Sequence, residues 1–177
     1  MPTITRRAIL LQAAAMTGPL PLTTSAQERL PAVAKLIVGF PPGGAVDAVS
    51  RRVADALRGI VADTVIVDNR QGAGGRIAIN GIRNAPTDGS QWLVTPGSMV
   101  VIYPHVYRNL SYHPVHDLLP VVQIANVPLT LVVGPGVPSS VVDVKSYLAW
   151  VRSNPAHANI GTPAAGNITD FLAFLLA

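Results

Sequence analysis

No cysteine occurs in the 177 residues, so the chain has neither a disulfide nor a thiolate metal site. Charge is also scarce. Asp, Glu, Lys and Arg make up 12% of the chain, and 13 bases outnumber 9 acids for a net charge of +4. Aromatic residues make up 5%, and no Lys/Arg run is interleaved with them, which argues against nucleic acid as a partner. No apolar stretch is long enough to span a membrane. Several catalytic signatures are missing too. Gly43-Gly44 is followed by Ala45-Val46, where a phosphate-binding Walker loop needs Lys-Ser/Thr. Gly72-Ala73-Gly74-Gly75-Arg76-Ile77 carries isoleucine where a dinucleotide fingerprint needs its last glycine. Gly97-Ser98 lacks the flanking glycines of a nucleophile elbow. His113 and His116 are separated by Pro114 and Val115, and no carboxylate motif completes a metal site with them. Asp47, Asp68, Asp88 and Asp170 are scattered, with no close carboxylate pair for acid–base work. No enzyme activity, cofactor or metal is expected.

About half of the chain (49%) is hydrophobic, enough for a core of one domain or a little more. The N-terminus reads as an export signal over residues 1–26. Thr5-Arg6-Arg7 forms a basic start, Ala8–Met16 is apolar apart from Gln12, and Thr24-Ser25-Ala26 has the small residues of a cleavage site. Thr-Arg-Arg-Ala-Ile-Leu is compatible with a twin-arginine signal, and an ordinary Sec signal fits as well. Either route places the mature protein in the periplasm, cleaved after about Ala26, and no lipobox cysteine is present to anchor it.

The most informative stretch is Lys35–Ile60. Leu36, Ile37 and Val38 form an apolar run of the kind found in a buried strand, and Pro41-Pro42-Gly43-Gly44 stops it. Val46, Val49, Val53, Leu57 and Ile60 then recur at helical spacing, predicting a helix with that face buried. A helix N-terminus opening over a bare glycine turn presents free N–H groups and the positive dipole end, which suits an anion. The pattern recurs. Thr64–Asp68 predicts a strand ending at Gly72-Ala73-Gly74-Gly75, then a short helix through Ile77, Ile79 and Ile82. Gln91–Thr95 predicts a third strand ending at Pro96-Gly97-Ser98. Strands alternating with helices imply a parallel α/β sheet, whose ligands bind at the carboxyl ends of the strands.

Tyr103–Pro120 reads as irregular. Val121–Ala125 and Leu129–Val133 predict two further strands, and Asn159-Ile160-Gly161 a very short one. Ser139 or Ser140 is the expected cap of a helix running to Ser153. Thr162-Pro163-Ala164-Ala165-Gly166-Asn167 forms a fourth small-residue turn, before an apolar helix over Ile168–Ala177 whose face needs a cover. An end in Phe-Leu-Ala-Phe-Leu-Leu-Ala, with no polar cap, looks cut rather than finished.

These motifs occur in an order that resembles the solute-binding receptors of tripartite tricarboxylate transporters, the Bug-type proteins. The residues concerned are Phe40-Pro41-Pro42-Gly43-Gly44-Ala45-Val46-Asp47, Val67–Gly75, Ala85-Pro86-Thr87-Asp88-Gly89, Tyr107–Val121, Val127–Val133 and Gly161–Gly166. The resemblance implies a periplasmic-binding-protein-like, type II-like two-lobe α/β fold, here incomplete. Lobe 1 would occupy 27–120, and a crossover with part of lobe 2 would occupy 121–177. It implies a monomer that closes on a small carboxylate solute and passes it to a membrane permease, holding the carboxylate by backbone N–H groups. Carried over residue by residue, Pro42, Gly43 and Gly44 form the first anion turn, with Asp47 in the following helical turn expected to shape it. Gly74 and Gly75 form the second wall, and Thr95, Gly97 and Ser98 the third. Thr162, Ala165, Gly166 and Asn167 come from the other lobe. Asp170 departs from the family pattern and is expected to repel an anion. Arg70 and Arg76 read as solvated surface residues that can steer anions. The alternatives are an exported α/β enzyme acting on an anionic substrate, or a truncated non-functional receptor fragment.

Overall fold

The computed structural model describes residues 31–176, so the export-signal reading and its cleavage point lie outside the described residues. Three strands form one parallel sheet: β1 (Val33–Val38), β2 (Thr64–Asn69) and β3 (Gln91–Val94), in the order β2-β1-β3. Central β1 is apolar because both of its faces are covered, and Leu36, Ile37 and Val38 are all buried. Helix α1 (Ala45–Leu57) follows β1 and packs on β1 and β2, while α2 (Arg76–Arg83) follows β2 and packs on β1 and β3. The chain steps outward from β1 to β2, then back past β1 to β3. Right-handed crossovers in opposite directions place α1 and α2 on opposite faces. One core joins Ala34, Leu36, Ala54, Ala62 and Val65; the other joins Ile79, Met99, Tyr103 and Tyr112.

The three predicted strands and first two helices are present, but the buried face of α1 is rotated from the expected one. Its buried residues are Asp47, Ser50 and Ala54, with Val53 and Leu57 half-buried. Ile60 lies beyond the helix and is exposed. Two polar groups tolerate burial here because each has partners. The Ser50 hydroxyl donates to Val46 O at 2.7 Å, and Asp47 collects the donors described below.

Beyond β3 come two single turns, α3 (Ser98–Val101) and α4 (Tyr103–Val106), then α5 (Val144–Ser153) and α6 (Ile168–Leu176). Tyr103–Pro120 is therefore helical in its first turn. The strands expected at Val121–Ala125, Leu129–Val133 and Asn159–Gly161 do not form. A strand exists only where another strand takes its N–H and C=O groups, and none lies beside these segments among the described residues. Residues 121–134 are exposed throughout, including Val121, Val122 and Val132. Helix α5 starts later than expected. Asp143, not Ser139 or Ser140, is its cap, accepting the Ser146 N–H at 2.7 Å while the Ser146 hydroxyl accepts from the Asp143 N–H. No residue of α6 is buried, and Phe174 and Leu175 are exposed. No helix among the described residues is long and apolar enough to cross a membrane.

Candidate functional site

The strand register decides where the glycine turns go. Val38 pairs with Asn69 on one side and Val94 on the other, so the three strands end level. The turns that leave them therefore share one edge of the sheet. Because the chain reverses direction around β1, the connections leaving β1 and β3 diverge, and a crevice opens at such a point.

Glycine brings the turns into contact. A Cβ on Gly39 would lie 2.7 Å from Gly75 Cα, so only glycine there lets the first turn touch the second. Gly75, at φ +90°, would place a Cβ 2.5 Å from Met99 Cε, so the second turn in turn rests on the residue after Ser98. Gly39, Gly75 and Met99 thus pin the three turns together. Gly39 and Met99 were not among the residues picked from the sequence. The contacts are long-range, and no local pattern marks them.

Asp47 lies beneath the first turn and is buried. Its carboxylate accepts the Gly43 N–H at 2.9 Å, the Arg51 Nε–H at 2.9 Å and an Asn69 Nδ2–H at 3.0 Å. Asn69 also donates to Phe40 O, tying the end of β2 to the first turn. The Arg51 guanidinium, followed by the Gly43 N–H, holds the Asp47 carboxyl down at about 2. Asp47 therefore belongs to the scaffold of the turn and does not face a ligand, and the Gly43 N–H is already taken. What faces outward is the start of α1. Its cap, Gly44, has no side chain to satisfy the first N–H groups of the helix. Pro42, Gly43 and Gly44 are exposed.

In the second turn, Gly74 and Gly75 have positive φ, and the Tyr103 hydroxyl donates to Gly74 O at 3.1 Å. In the third, Gly97 precedes α3 and Ser98 opens it half-buried. The Thr95 hydroxyl is directed inward to Met99 Sδ, which leaves Ser98 as the hydroxyl of that wall.

The fourth turn lies against the second. Ala164 is near Gly74, Gly166 packs on Val106 and Tyr107, and the Tyr107 hydroxyl donates to Ala165 O at 3.1 Å. This turn repeats the device of the first. The Gly166 N–H donates to Asp170 Oδ2 at 2.8 Å, as the Gly43 N–H does to Asp47, four residues on in each case. Both glycines have positive φ. Gly-Asn-Ile-Thr-Asp and Gly-Gly-Ala-Val-Asp share that spacing, a signal the sequence carried. Asp170 also accepts the Thr162 hydroxyl. Its carboxylate is folded into its own turn. Asn167 is buried and caps α6 by accepting the Asp170 N–H at 3.0 Å.

The two candidate arginines differ. Arg70 is paired with Asp68 at 2.8 Å. Arg76, half-buried, donates through Nε to Ala73 O at 2.9 Å and stacks its guanidinium 4.1 Å from the Tyr107 ring centroid. His113 accepts backbone N–H groups of Val115 and His116 on its Nδ1, a loop role, and no metal-binding cluster occurs among the described residues. One surface concavity lies away from the turns, beside Trp150 and His157; another, between Val100 and His113, reaches Tyr107.

Comparison with known proteins gives the chain a family. The sequence profile of the tripartite tricarboxylate transporter family receptors matches residues 49–174, which include the second, third and fourth turns. A Pseudomonas protein encoded in the tcbD–tcbE intergenic region is 35% identical over 144 residues, covering 80% of this chain and 41% of that protein. BugT of Bordetella pertussis is 30% identical over 139 residues, 78% of this chain and 42% of BugT. A solved structure described as a periplasmic transporter is 29% identical and covers 46% of this chain and 28% of its own, with a TM-score of 0.44. The chain thus spans about two-fifths of the length of the curated relatives it matches. It belongs to the family of tripartite tricarboxylate transporter receptors.

Proposed function

We propose that the protein is the periplasmic solute receptor of such a transporter and binds a small carboxylate where the four turns meet. One observation carries the reading: level strand ends put three glycine turns on one edge, and the Tyr107 hydroxyl docks the fourth turn beside them. The carboxylate is held by N–H groups at the start of α1, against the wall formed by Gly74 and Gly75, by the Ser98 hydroxyl, and by the Thr162–Asn167 turn. Asp47 and Asp170 shape their turns and direct the glycine N–H groups inward. Neutral N–H donors aligned with a helix dipole suit an anion without a dedicated counter-ion. The protein binds without turnover, as a monomer, and delivers the solute to a membrane permease. Export by the Tat or Sec route, with cleavage after about Ala26, brings it to the periplasm. Residues 27–120 form lobe 1, and 121–177 form the crossover and part of lobe 2.

Thermal denaturation of the 177-residue chain against acetate, succinate, citrate, glutamate and benzoate tests this reading. A ligand at a hundredfold its Kd stabilises the folded form by about 2.7 kcal/mol. We expect a saturable rise in Tm for at least one carboxylate, none for the corresponding amides, and no product by NMR. Turnover of a carboxylate or phosphate ester, or no response to any carboxylate, contradicts the reading.

A further inference from the structure

We infer that Arg76 selects ligands carrying a second anionic group, an inference that rests on the carboxylate reading above and narrows it. Among the described arginines, Arg51, Arg58, Arg70 and Arg83 are paired with Asp47, Asp55, Asp68 and Asp117. Arg52, Arg108 and Arg152 have no carboxylate within ion-pair distance among the described residues, but they are exposed. Arg76 combines half-burial with the lack of such a partner among the described residues.

Its guanidinium is fixed on two sides. Nε is tied to Ala73 O, and the planar group lies over Tyr107. The two terminal amino groups are left as a planar fork, the geometry that binds a carboxylate bidentately. Its position also runs against helix preference. Arg76 is the first residue of α2, at the positive dipole end, whereas Arg83 is in the last turn, where a cation is favoured. Gly75, the cap, supplies no counter-charge. Guanidinium and dipole therefore add, and an anion relieves both.

Tyr107 fixes where the guanidinium lies. Its hydroxyl bonds to Ala165 O, so the stacked guanidinium sits at the seam between the second and fourth turns. A first carboxylate on the N–H groups of the turns leaves this fork for a second one a few carbons away on the same molecule.

The test is calorimetric titration of the 177-residue chain with succinate and butyrate, which share a four-carbon backbone and differ in the second carboxylate. A charge-assisted bidentate contact predicts a preference for succinate of about tenfold or more. Arg76→Gln is expected to bring the ratio close to one, and Arg76→Lys, which keeps the charge without the fork, to an intermediate value. Circular dichroism checks that each variant is folded; should Arg76→Gln fail, the intermediate ratio in Arg76→Lys is the deciding result. An unchanged succinate-to-butyrate ratio in the folded variants overturns the role of Arg76 while leaving carboxylate binding intact. If wild type binds neither probe nor any carboxylate of the thermal panel, the underlying reading fails and this inference with it.

Discussion

Replacing Gly39 with alanine isolates the contact on which the site depends. Gly39 does not have a left-handed φ, so the added methyl brings no backbone strain of its own. It does meet main chain, at 2.7 Å from Gly75 Cα and 3.0 Å from Gly75 O. Gly75 has little freedom to retreat, because it is buried against Met99, itself 1% exposed. Overpacking of this kind costs about 1–3 kcal/mol, set against about 0.4–1 kcal/mol gained by restricting the unfolded chain. The net expectation is a loss of about 1–2 kcal/mol in urea unfolding with the m value unchanged. Carboxylate affinity should fall as well, because the second turn is pushed off the first. Gly43→Ala is the control: its φ is +85° and nothing lies within 4 Å of the added carbon, so it reports backbone strain without a clash. A Gly39→Ala protein as stable as wild type refutes the claim that the two turns are in contact.

Other expectations concern the supports of the turns. The Asp47 carboxyl is held at about 2 against an ordinary 3.8, so the stability it contributes is present above pH 4 and is lost as pH falls through about 2. Urea midpoints from pH 2 to 7 should therefore separate wild type from Asp47→Asn at neutral pH and converge at the acid end; parallel profiles contradict this. Asn167→Ala removes the cap of α6 and should cost about 1 kcal/mol in urea unfolding, with loss of helical circular dichroism. Tyr107→Phe deletes the bond to Ala165 O, worth about 1 kcal/mol, and should speed amide hydrogen exchange in residues 164–167 relative to those of β1.

Much of the first half of the fold was legible because its signals are local. Leu36–Val38 is apolar enough to be read as a central strand, and each glycine turn marks a strand end. The shared edge of the turns follows from strand alternation alone, since parallel strands all deliver their carboxyl ends to one side. Three things were not legible. The run Val121–Val133 has strand composition, but composition does not supply a neighbouring strand, and the segment is unpaired and exposed. The pins of the site, Gly39 to Gly75 and Tyr107 to Ala165, join residues 36 and 58 apart, beyond any periodicity. The third is where the Asp170 carboxylate points, whereas the turn-shaping role of Asp47 was expected. Both carboxylates point into their own turns.

The central claim is that backbone amides at the glycine turns hold the carboxylate. The most direct test is an amide-resolved NMR titration of the chain with succinate. The account predicts saturable shifts at Gly44, Ala45, Ser98 and Ala165, fitting one common Kd. Shifts confined to the concavity beside Trp150 and His157, with the turn amides unmoved, contradict it.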